Sequence, residues 1–188
     1  MSAKQEIIDY DLHANEIKHW ISLKGETKYM RFASLLKSNG IAVEWNVLKD
    51  TYRYDKRLIV NIFKYLSFFE EFLRAQIWNV SKTSYKKLEG AFLSKAIDEV
   101  VRLKEQIHYE GFSVERLSKN KELINHLRNC VSHNKIILET QKDKCGIKDI
   151  LVAFMETLPE DYRRGFSFNI NNCAKELNIP SDLIIELQ

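Results

Sequence analysis

Apolar residues recur along most of this chain at intervals of three and four positions, the period of amphipathic α-helices. The strongest run lies between Asp55 and Val80, contains no glycine or proline, and predicts a long central helix. Its aromatic residues exceed what one buried stripe needs, so part of its surface is predicted to meet a partner chain or another helix. The alternative is a helix buried on several sides. The apolar positions of the run are Leu58, Ile62, Leu66, Phe69, Leu73 and Ile77.

Shorter helices are predicted on both sides of this run. Residues 44–54 fit either a short helix or an ordered loop, and residues 136–138 fit an extended piece. Ser118 or Asn120 is predicted to cap a helix that begins at Lys119. Together these segments predict an all-α fold, one helical bundle forming a single domain over residues 1–188. The shorter predicted helices span about 9–23, 27–38, 84–108, 113–117 (a single turn), 119–134, 146–158 and 161–177.

Composition supports an all-helical, soluble chain. Six glycines and two prolines are few for 188 residues, which favours helices over a sheet with many turns. A content of 45% hydrophobic and 29% charged residues is ordinary for a soluble domain. No stretch approaches the roughly 20 apolar residues of a membrane span, and the N-terminus carries charges instead of an apolar signal core. We therefore expect no membrane association and a cytoplasmic location.

Charge and cysteines restrict the possible chemistry only slightly. The net charge of +3 does not by itself indicate nucleic-acid binding, so any such site must be a local patch. Residues 82–87 could supply one, as could the lysines between Lys119 and Lys144, unless they are simply solvated surface. Cys130, Cys145 and Cys173 have no close spacing to one another, which predicts three free thiols in a reducing compartment and argues against structural zinc.

Residues 127–134 end a predicted helix that has two different faces. At about 100° per residue, one polar arc of about 140° contains Arg128, Ser132, Asn125, Asn129 and His133. Apolar side chains occupy the opposite side and form a stripe of the width expected for a helix that faces a core. The helix is therefore predicted to bury one face and to present the polar arc.

The polar arc has the chemistry that metal-free cleavage of RNA requires. Attack of a 2′-hydroxyl on the neighbouring phosphate needs a proton acceptor, a proton donor and positive charge near the phosphate oxygens. His133 can accept or donate a proton, because the ordinary pKa of histidine is about 6.5. Arg128 can hold the phosphate through paired N–H donors, and Asn129 and Ser132 can support it. Two copies of this helix around a two-fold axis would bring two such pairs into one cleft.

A structural interpretation of the same residues is also open. Arg128 could pair with a carboxylate, and His133 could satisfy the free carbonyl groups at the end of the helix. For an arbitrary helix this would be the more common case. His126 lies near the same edge of the arc, either as a second proton carrier or, more commonly at such a position, as a spacer.

The string from Arg128 to His133 resembles the R-x4-6-H motif of HEPN domains, including the polar residue that usually follows the arginine. Residues 55–58 and 69–77 resemble the long upstream helix of the Abi-like, abortive-infection branch of that superfamily. The resemblance covers residues 55–138 and does not extend to the flanks. Many Abi-like members carry a second histidine where this chain has Asn134, and this chain is shorter than the fuller-length members.

The resemblance implies an antiparallel helical bundle that dimerises and cleaves RNA without a metal or other cofactor, in phage defence or in a toxin–antitoxin pair. It implies Arg128 and His133 as the catalytic pair. The implied partners are RNA, a second copy of the chain, and a cognate antitoxin protein or RNA. Glu70 and Arg74, four positions apart, could orient the catalytic arginine or pair with each other. The residues expected to support catalysis or bind RNA are Asn129, Ser132, Asn134, Glu70 and Arg74.

Two functions from other classes fit the same residues. One is a non-catalytic HEPN-like module that binds RNA, a nucleotide or a protein partner through the same cleft. The other is an antitoxin-like or structural dimer in which the polar arc is only solvated surface. Substitution of His133 should separate these functions from an enzyme, because only the enzyme needs its proton transfer.

Overall fold

A computed structural model describes residues 2–82 and 92–188 of the chain. Eight α-helices account for most of these residues, so the predicted all-α fold class is confirmed. They are α1 (Ala3–Glu6), α2 (Tyr10–Lys24), α3 (Glu26–Ser38), α4 (Trp45–Ser81), α5 (Leu93–Arg102), α6 (Val114–Ser132), α7 (Ile147–Thr157) and α8 (Glu160–Asn171). Two 3₁₀ turns, Ile137–Glu139 and Ser181–Leu183, and a small antiparallel hairpin of β1 (Gln141–Lys142) and β2 (Cys145–Gly146) complete the described chain.

The long helix α4 begins ten residues earlier than its strongest periodicity predicts. Residues 44–54, for which a short helix or a loop was open, belong to α4 from Trp45 onward. The side chain of Trp45 is fully buried, and its backbone N–H donates a hydrogen bond of 2.8 Å to the Asp9 carboxylate. The acceptor that supports the start of the helix therefore comes from a distant part of the sequence.

The motif helix α6 also begins earlier than predicted, because the predicted single turn at residues 113–117 and the predicted helix from Lys119 belong to one continuous helix, Val114–Ser132. The prediction that Ser118 or Asn120 is the N-cap is wrong. Ser113 holds that position, and its hydroxyl oxygen accepts a hydrogen bond of 3.2 Å from the Arg116 N–H. Asn120 is instead buried, and its amide donates to the Ala153 carbonyl and the Thr157 hydroxyl of α7.

Other helix ends differ from the predictions. The predicted start of a helix at residue 84 lies outside the described residues. Helix α5 ends at Arg102 instead of residue 108, and the residues that follow it form hydrogen-bonded turns. Helix α8 ends six residues before its predicted end at residue 177, and the Glu176 φ of +64° lies in the left-handed region. Of residues 136–138, predicted as extended, Ile136 is extended, but the prediction is wrong for Ile137 and Leu138, which belong to the 3₁₀ turn.

The chain divides into two compact units. The first consists of Met1–Arg57 and Asn172–Ile184, and the second of Leu58–Asn171 and Ile185–Gln188. In the first unit, Phe32 and Trp45 are fully buried. The prediction of a single domain over residues 1–188 stays a prediction.

Aromatic rings of α4, α7 and α8 form the core of the second unit. Phe69 of α4 packs edge-on against Phe154 of α7, with ring centroids 5.8 Å apart, and Phe154 contacts Phe166 of α8 at 5.3 Å. The buried interpretation of α4 therefore holds for Phe69. Other aromatic residues of α4 are exposed in the chain, among them Phe63 at 59% and Trp78 at 39%, so the predicted partner contact stays a prediction.

Three further expectations concern cysteines, membranes and metals. Cys130 and Cys173 are buried, Cys145 is half-buried, and all three are free thiols as predicted. Of the helices in residues 2–82 and 92–188, none combines the length and apolar character needed to cross a membrane. Within the same residues no group of three or more His, Cys, Asp or Glu side chains could hold a metal ion.

Candidate functional site

Packing fixes the apolar face of α6, the helix that carries the polar arc. Ile124 and Leu127 are fully buried, and α6 packs against both α5 and α7. The buried Asn120 adds a polar connection to α7 through hydrogen bonds of 3.1 Å and 3.0 Å. The apolar face of α6 is therefore buried, while Asn129, Ser132 and His133 of the polar arc are exposed.

The C-terminal end of α6 is closed by a Schellman motif. The Asn134 N–H donates to the Val131 carbonyl at 3.0 Å, and the Lys135 N–H donates to the Cys130 carbonyl at 2.9 Å. Asn134 has a φ of +50°, in the left-handed region that such a motif requires. His133 is the residue at which the helix ends, one position before Asn134. Asn134 therefore has a conformational role in this turn.

Arg128 lies half-buried at the edge of a pocket of about 320 Å³. Its guanidinium carbon is 5.9 Å from the ring centroid of Phe92, the residue before α5. Within the described part of the chain, no carboxylate forms an ion pair with Arg128. The described residues therefore do not support the structural interpretation in which Arg128 pairs with an acidic residue. The residues lining the pocket are Phe92, Leu93, Ser94, Asn125, Arg128 and Asn129.

The other members of the arc are more exposed than Arg128. Asn129, Ser132 and His133 all belong to the exposed class, and of these only Asn129 lines the pocket. Within residues 2–82 and 92–188, the His133 side chain forms no hydrogen bond. Five positions separate Arg128 from His133, about 7.5 Å along the helix axis and about 140° around it. One chain thus presents the arginine to the pocket and the histidine to solvent.

Two predicted accessory groups have identifiable partners. His126 Nε2 lies 3.6 Å from Cys130 Sγ, one helical turn away, which favours its interpretation as a spacer. Glu70 and Arg74 form an ion pair of 3.0 Å along α4, in which both side chains are about four-fifths buried. Of the two predicted roles for this pair, mutual pairing is the one found. Neither residue is among the described lining of the pocket beside Arg128.

The predicted basic patches are only partly available near α6. Lys121 forms an ion pair with Asp98 of α5, and the hydrogen bond that its ammonium donates to this carboxylate raises the pKa of Lys121. Lys142 pairs with Asp143 at 3.3 Å. Lys119 and Lys135 are exposed. The predicted patch at residues 82–87 falls, apart from its first residue, outside the described residues.

Phe92 is the pocket residue whose position the sequence did not indicate. Its spacing suggested a place on the buried side of a helix running from about residue 84. The structure puts it immediately before α5, 63% exposed, against Arg128 of another helix. No local signal could have revealed this contact, because it depends on how α5 packs against α6. Asn125, by contrast, belongs to the predicted polar face and does line the pocket.

Comparisons with known proteins assign the chain to no family. No protein-family model matches it, no curated protein matches it, and no solved structure matches it. The similarity to HEPN domains therefore rests on the sequence motifs described above.

Proposed function

We propose that this protein is a metal-independent endoribonuclease of the HEPN type, which cleaves RNA in a composite site formed by two copies of the chain. The observation that carries the proposal is the placement of Arg128 and His133. Arg128, without a carboxylate partner in the described chain, lines a pocket, and His133 stands exposed at the end of the same helix. These are the two side chains that phosphate binding and proton transfer require.

In the proposed reaction the 2′-hydroxyl oxygen of one nucleotide attacks the adjacent phosphorus. One imidazole accepts the hydroxyl proton, the P–O5′ bond breaks, and an imidazolium donates a proton to the departing 5′-oxygen. The products are a 2′,3′-cyclic phosphate and a 5′-hydroxyl. The guanidinium of Arg128 stabilises the charge that develops on the nonbridging oxygens. The proton balance closes between two imidazoles, and the reaction needs no metal ion.

The geometry of one chain supports a composite site. His133 does not line the pocket that Arg128 lines, and it lies about 140° around the helix from it. One chain also supplies one His133, whereas the reaction needs an acid and a base. A second copy around a two-fold axis would supply the second imidazole to the same cleft. This requirement is the reason for proposing a homodimer.

A biological role follows from the resemblance to the Abi-like branch. An RNA-cleaving dimer of that branch acts in phage defence or as a toxin, and a toxin needs a cognate antitoxin protein or RNA to restrain it. We therefore include these roles and partners in the proposal.

A second candidate is a non-catalytic module of the same fold that binds RNA. It is favoured by one observation, namely that Arg128 and Asn129 line the pocket whereas His133 does not. Binding of a phosphate at Arg128 needs no proton transfer. In this case His133→Ala would leave RNA affinity unchanged, and Arg128→Ala would weaken binding and lower its salt dependence.

The decisive experiment compares His133→Ala with His108→Ala, which removes another exposed histidine. Each purified protein is incubated with end-labelled total RNA and transfer RNA in EDTA, and the new ends are identified. We expect the wild type and His108→Ala to cleave, leaving 2′,3′-cyclic phosphate ends. The His133→Ala variant is expected to lose about 100-fold or more of the rate. Equal cleavage by both variants would refute the assignment of His133.

The outcome of this experiment separates the candidates. If neither the wild type nor the variants cleave RNA, although the folded protein retains it in an Arg128-dependent way, the binding module is correct. If both the Arg128 and His133 substitutions only lower the melting temperature, the arc is structural. Light scattering tests the dimer separately, because a 22.2 kDa monomer under cleaving conditions would exclude the composite site.

A further inference from the structure

An exposed aromatic ring stands beside the proposed phosphate-binding arginine. Phe92 is 63% exposed, although the next residue, Leu93, is almost completely buried. The Phe92 ring therefore does not serve the core of the described chain. It lies 5.9 Å from the Arg128 guanidinium carbon and forms part of the same pocket wall.

The start of α5 holds the Phe92 backbone in place. Phe92 has an extended conformation with φ −62° and ψ 152°. Its carbonyl accepts hydrogen bonds from the Lys95 N–H at 2.9 Å and the Ala96 N–H at 3.2 Å. The ion pair between Asp98 and Lys121 further joins α5 to α6. A ring on an anchored backbone loses little freedom when a ligand stacks on it.

The groups around the ring match the parts of one nucleotide. An exposed aromatic face stacks on a nucleobase, whatever the base, because every base has a π face. The side-chain amides of Asn125 and Asn129 each offer hydrogen-bond donors and an acceptor, as the edge of an unpaired base requires. Arg128 offers paired donors to the adjoining phosphate. A pocket of about 320 Å³ is at the lower end of the range for small ligands, which suits one nucleotide.

We propose that Phe92 is a stacking platform for one unpaired nucleobase next to the phosphate held by Arg128, so that this site takes single-stranded RNA and not duplex RNA. In a duplex the base faces are covered by their neighbours, and a ring at the surface cannot reach them. The identity of the ligand as RNA rests on the proposed function. The selection of an unpaired base rests on the ring, the amides and the arginine.

The test measures binding in the His133→Ala protein, so that cleavage does not consume the ligand. Fluorescence anisotropy follows a labelled single-stranded oligonucleotide and a labelled duplex of the same length. In this background Phe92→Ala removes the ring, Phe92→Trp keeps a stacking surface, and Phe168→Ala removes a similarly exposed phenylalanine from α8. Light scattering of each variant establishes that its oligomeric state is unchanged.

We expect Phe92→Ala to weaken binding of the single strand by about five- to 150-fold, the effect of losing one stacked base. Phe92→Trp should bind like the parent protein, and so should Phe168→Ala. The salt dependence of binding should stay unchanged in Phe92→Ala, because no charge is removed, whereas Arg128→Ala should reduce it. Duplex binding, which does not use the ring, should be the same with and without Phe92.

A coupling measurement locates the stacked base. Oligonucleotides with one abasic position each are bound to the protein with and without Phe92. We expect one abasic position to weaken binding in the parent protein and to have no effect in Phe92→Ala, since both changes remove the same contact. Additive effects at every position would overturn the inference. Loss of the dimer in Phe92→Ala would overturn it too, because the ring would then belong to the subunit contact.

The results distinguish this inference from the proposed function. If wild-type protein cleaves RNA but Phe92→Ala binds and cleaves single strands as well as the wild type does, the enzyme stands and the stacking platform falls. If the coupling is found but no cleavage occurs, the platform stands and the enzyme falls. If the protein binds no RNA in any form, both fall.

Discussion

The turn before α6 contains a glycine for which the structure leaves no room for a side chain. Gly111 has a φ of +75°, and a Cβ atom on it would lie 2.8 Å from the Glu160 Cβ and 3.4 Å from the Glu160 backbone nitrogen. Its carbonyl oxygen accepts hydrogen bonds from the Glu160 N–H at 3.2 Å and from the Arg163 guanidinium at 2.9 Å. The substitution Gly111→Ala should therefore disturb both the turn and its contact with α8.

Gly40 provides a matched control for the size of this effect. It has a nearly equal φ of +71°, but no heavy atom lies within 4 Å of a Cβ built there. Gly40→Ala should cost only backbone strain, about 1–2 kcal/mol, less about 0.4–1 kcal/mol for the lower entropy of the unfolded chain. Gly111→Ala carries the same two contributions and adds steric overlap, about 1–3 kcal/mol. The difference between the variants should therefore be about 1–3 kcal/mol.

Urea unfolding followed by circular dichroism and by tryptophan fluorescence measures both free energies. We expect Gly111→Ala to lower the transition midpoint clearly more than Gly40→Ala does, at an unchanged m-value. If the two compact units unfold in separate transitions, each substitution should shift the transition of its own unit, and the comparison is then made between those free energies. Equal losses, or a larger loss for Gly40→Ala, would refute the predicted overlap.

Two further predictions concern a lysine and the turn that ends α6. Partial burial is the largest cause that lowers the pKa of Lys56 to about 8. The neighbouring Lys28 is the next largest, Lys24 acts in the same direction, and Asp55 opposes them. The lysine of the unfolded chain keeps its proton up to about pH 10.4, so the unfolded state binds more protons between pH 8 and 10. The free energy of unfolding of the wild type, measured in urea, should therefore rise by about 1 kcal/mol over this range relative to that of Lys56→Met, allowing for solvent screening. The same pH dependence in both proteins would contradict this. Asn134→Ala should lose about 1 kcal/mol more stability than Asn134→Gly does, because glycine adopts the left-handed φ of this position without strain; equal urea midpoints for the two variants would contradict this.

Local sequence signals predicted a helix boundary well where neighbouring residues in the sequence determine it. Helix α3 ends at residue 38 as predicted, and it is followed by Asn39 and by Gly40 in the left-handed conformation. The start of α4 was missed because its acceptor is Asp9, 36 positions away in the sequence. Ser113 and Ser118 are both of a residue type that caps helices, and only the hydrogen bond that the Arg116 N–H donates to the Ser113 hydroxyl oxygen selects between them. Individual hydrogen bonds, one of them between residues far apart in the sequence, thus decided what periodicity left open.

The same distinction applies to the candidate site. The arc from Arg128 to His133 could be predicted because it depends only on the geometry of one helix. The pocket wall could not, since Phe92 meets Arg128 through the packing of α5 on α6. The conformational role of Asn134 was also missed, because an asparagine after a histidine suggests a functional polar residue as readily as a turn.

The burial of two of the three cysteines makes the third a natural attachment point for a probe. Cys145 lies in β2, which packs beside α7, and it is half-buried whereas Cys130 and Cys173 are buried. A nitroxide attached under mild conditions should therefore react at one position per chain. In a symmetric dimer such a label gives a single distance between subunits by pulsed electron resonance. The natural sequence thus contains one suitable labelling site, and the distance between two copies could be measured with no cysteine added or removed.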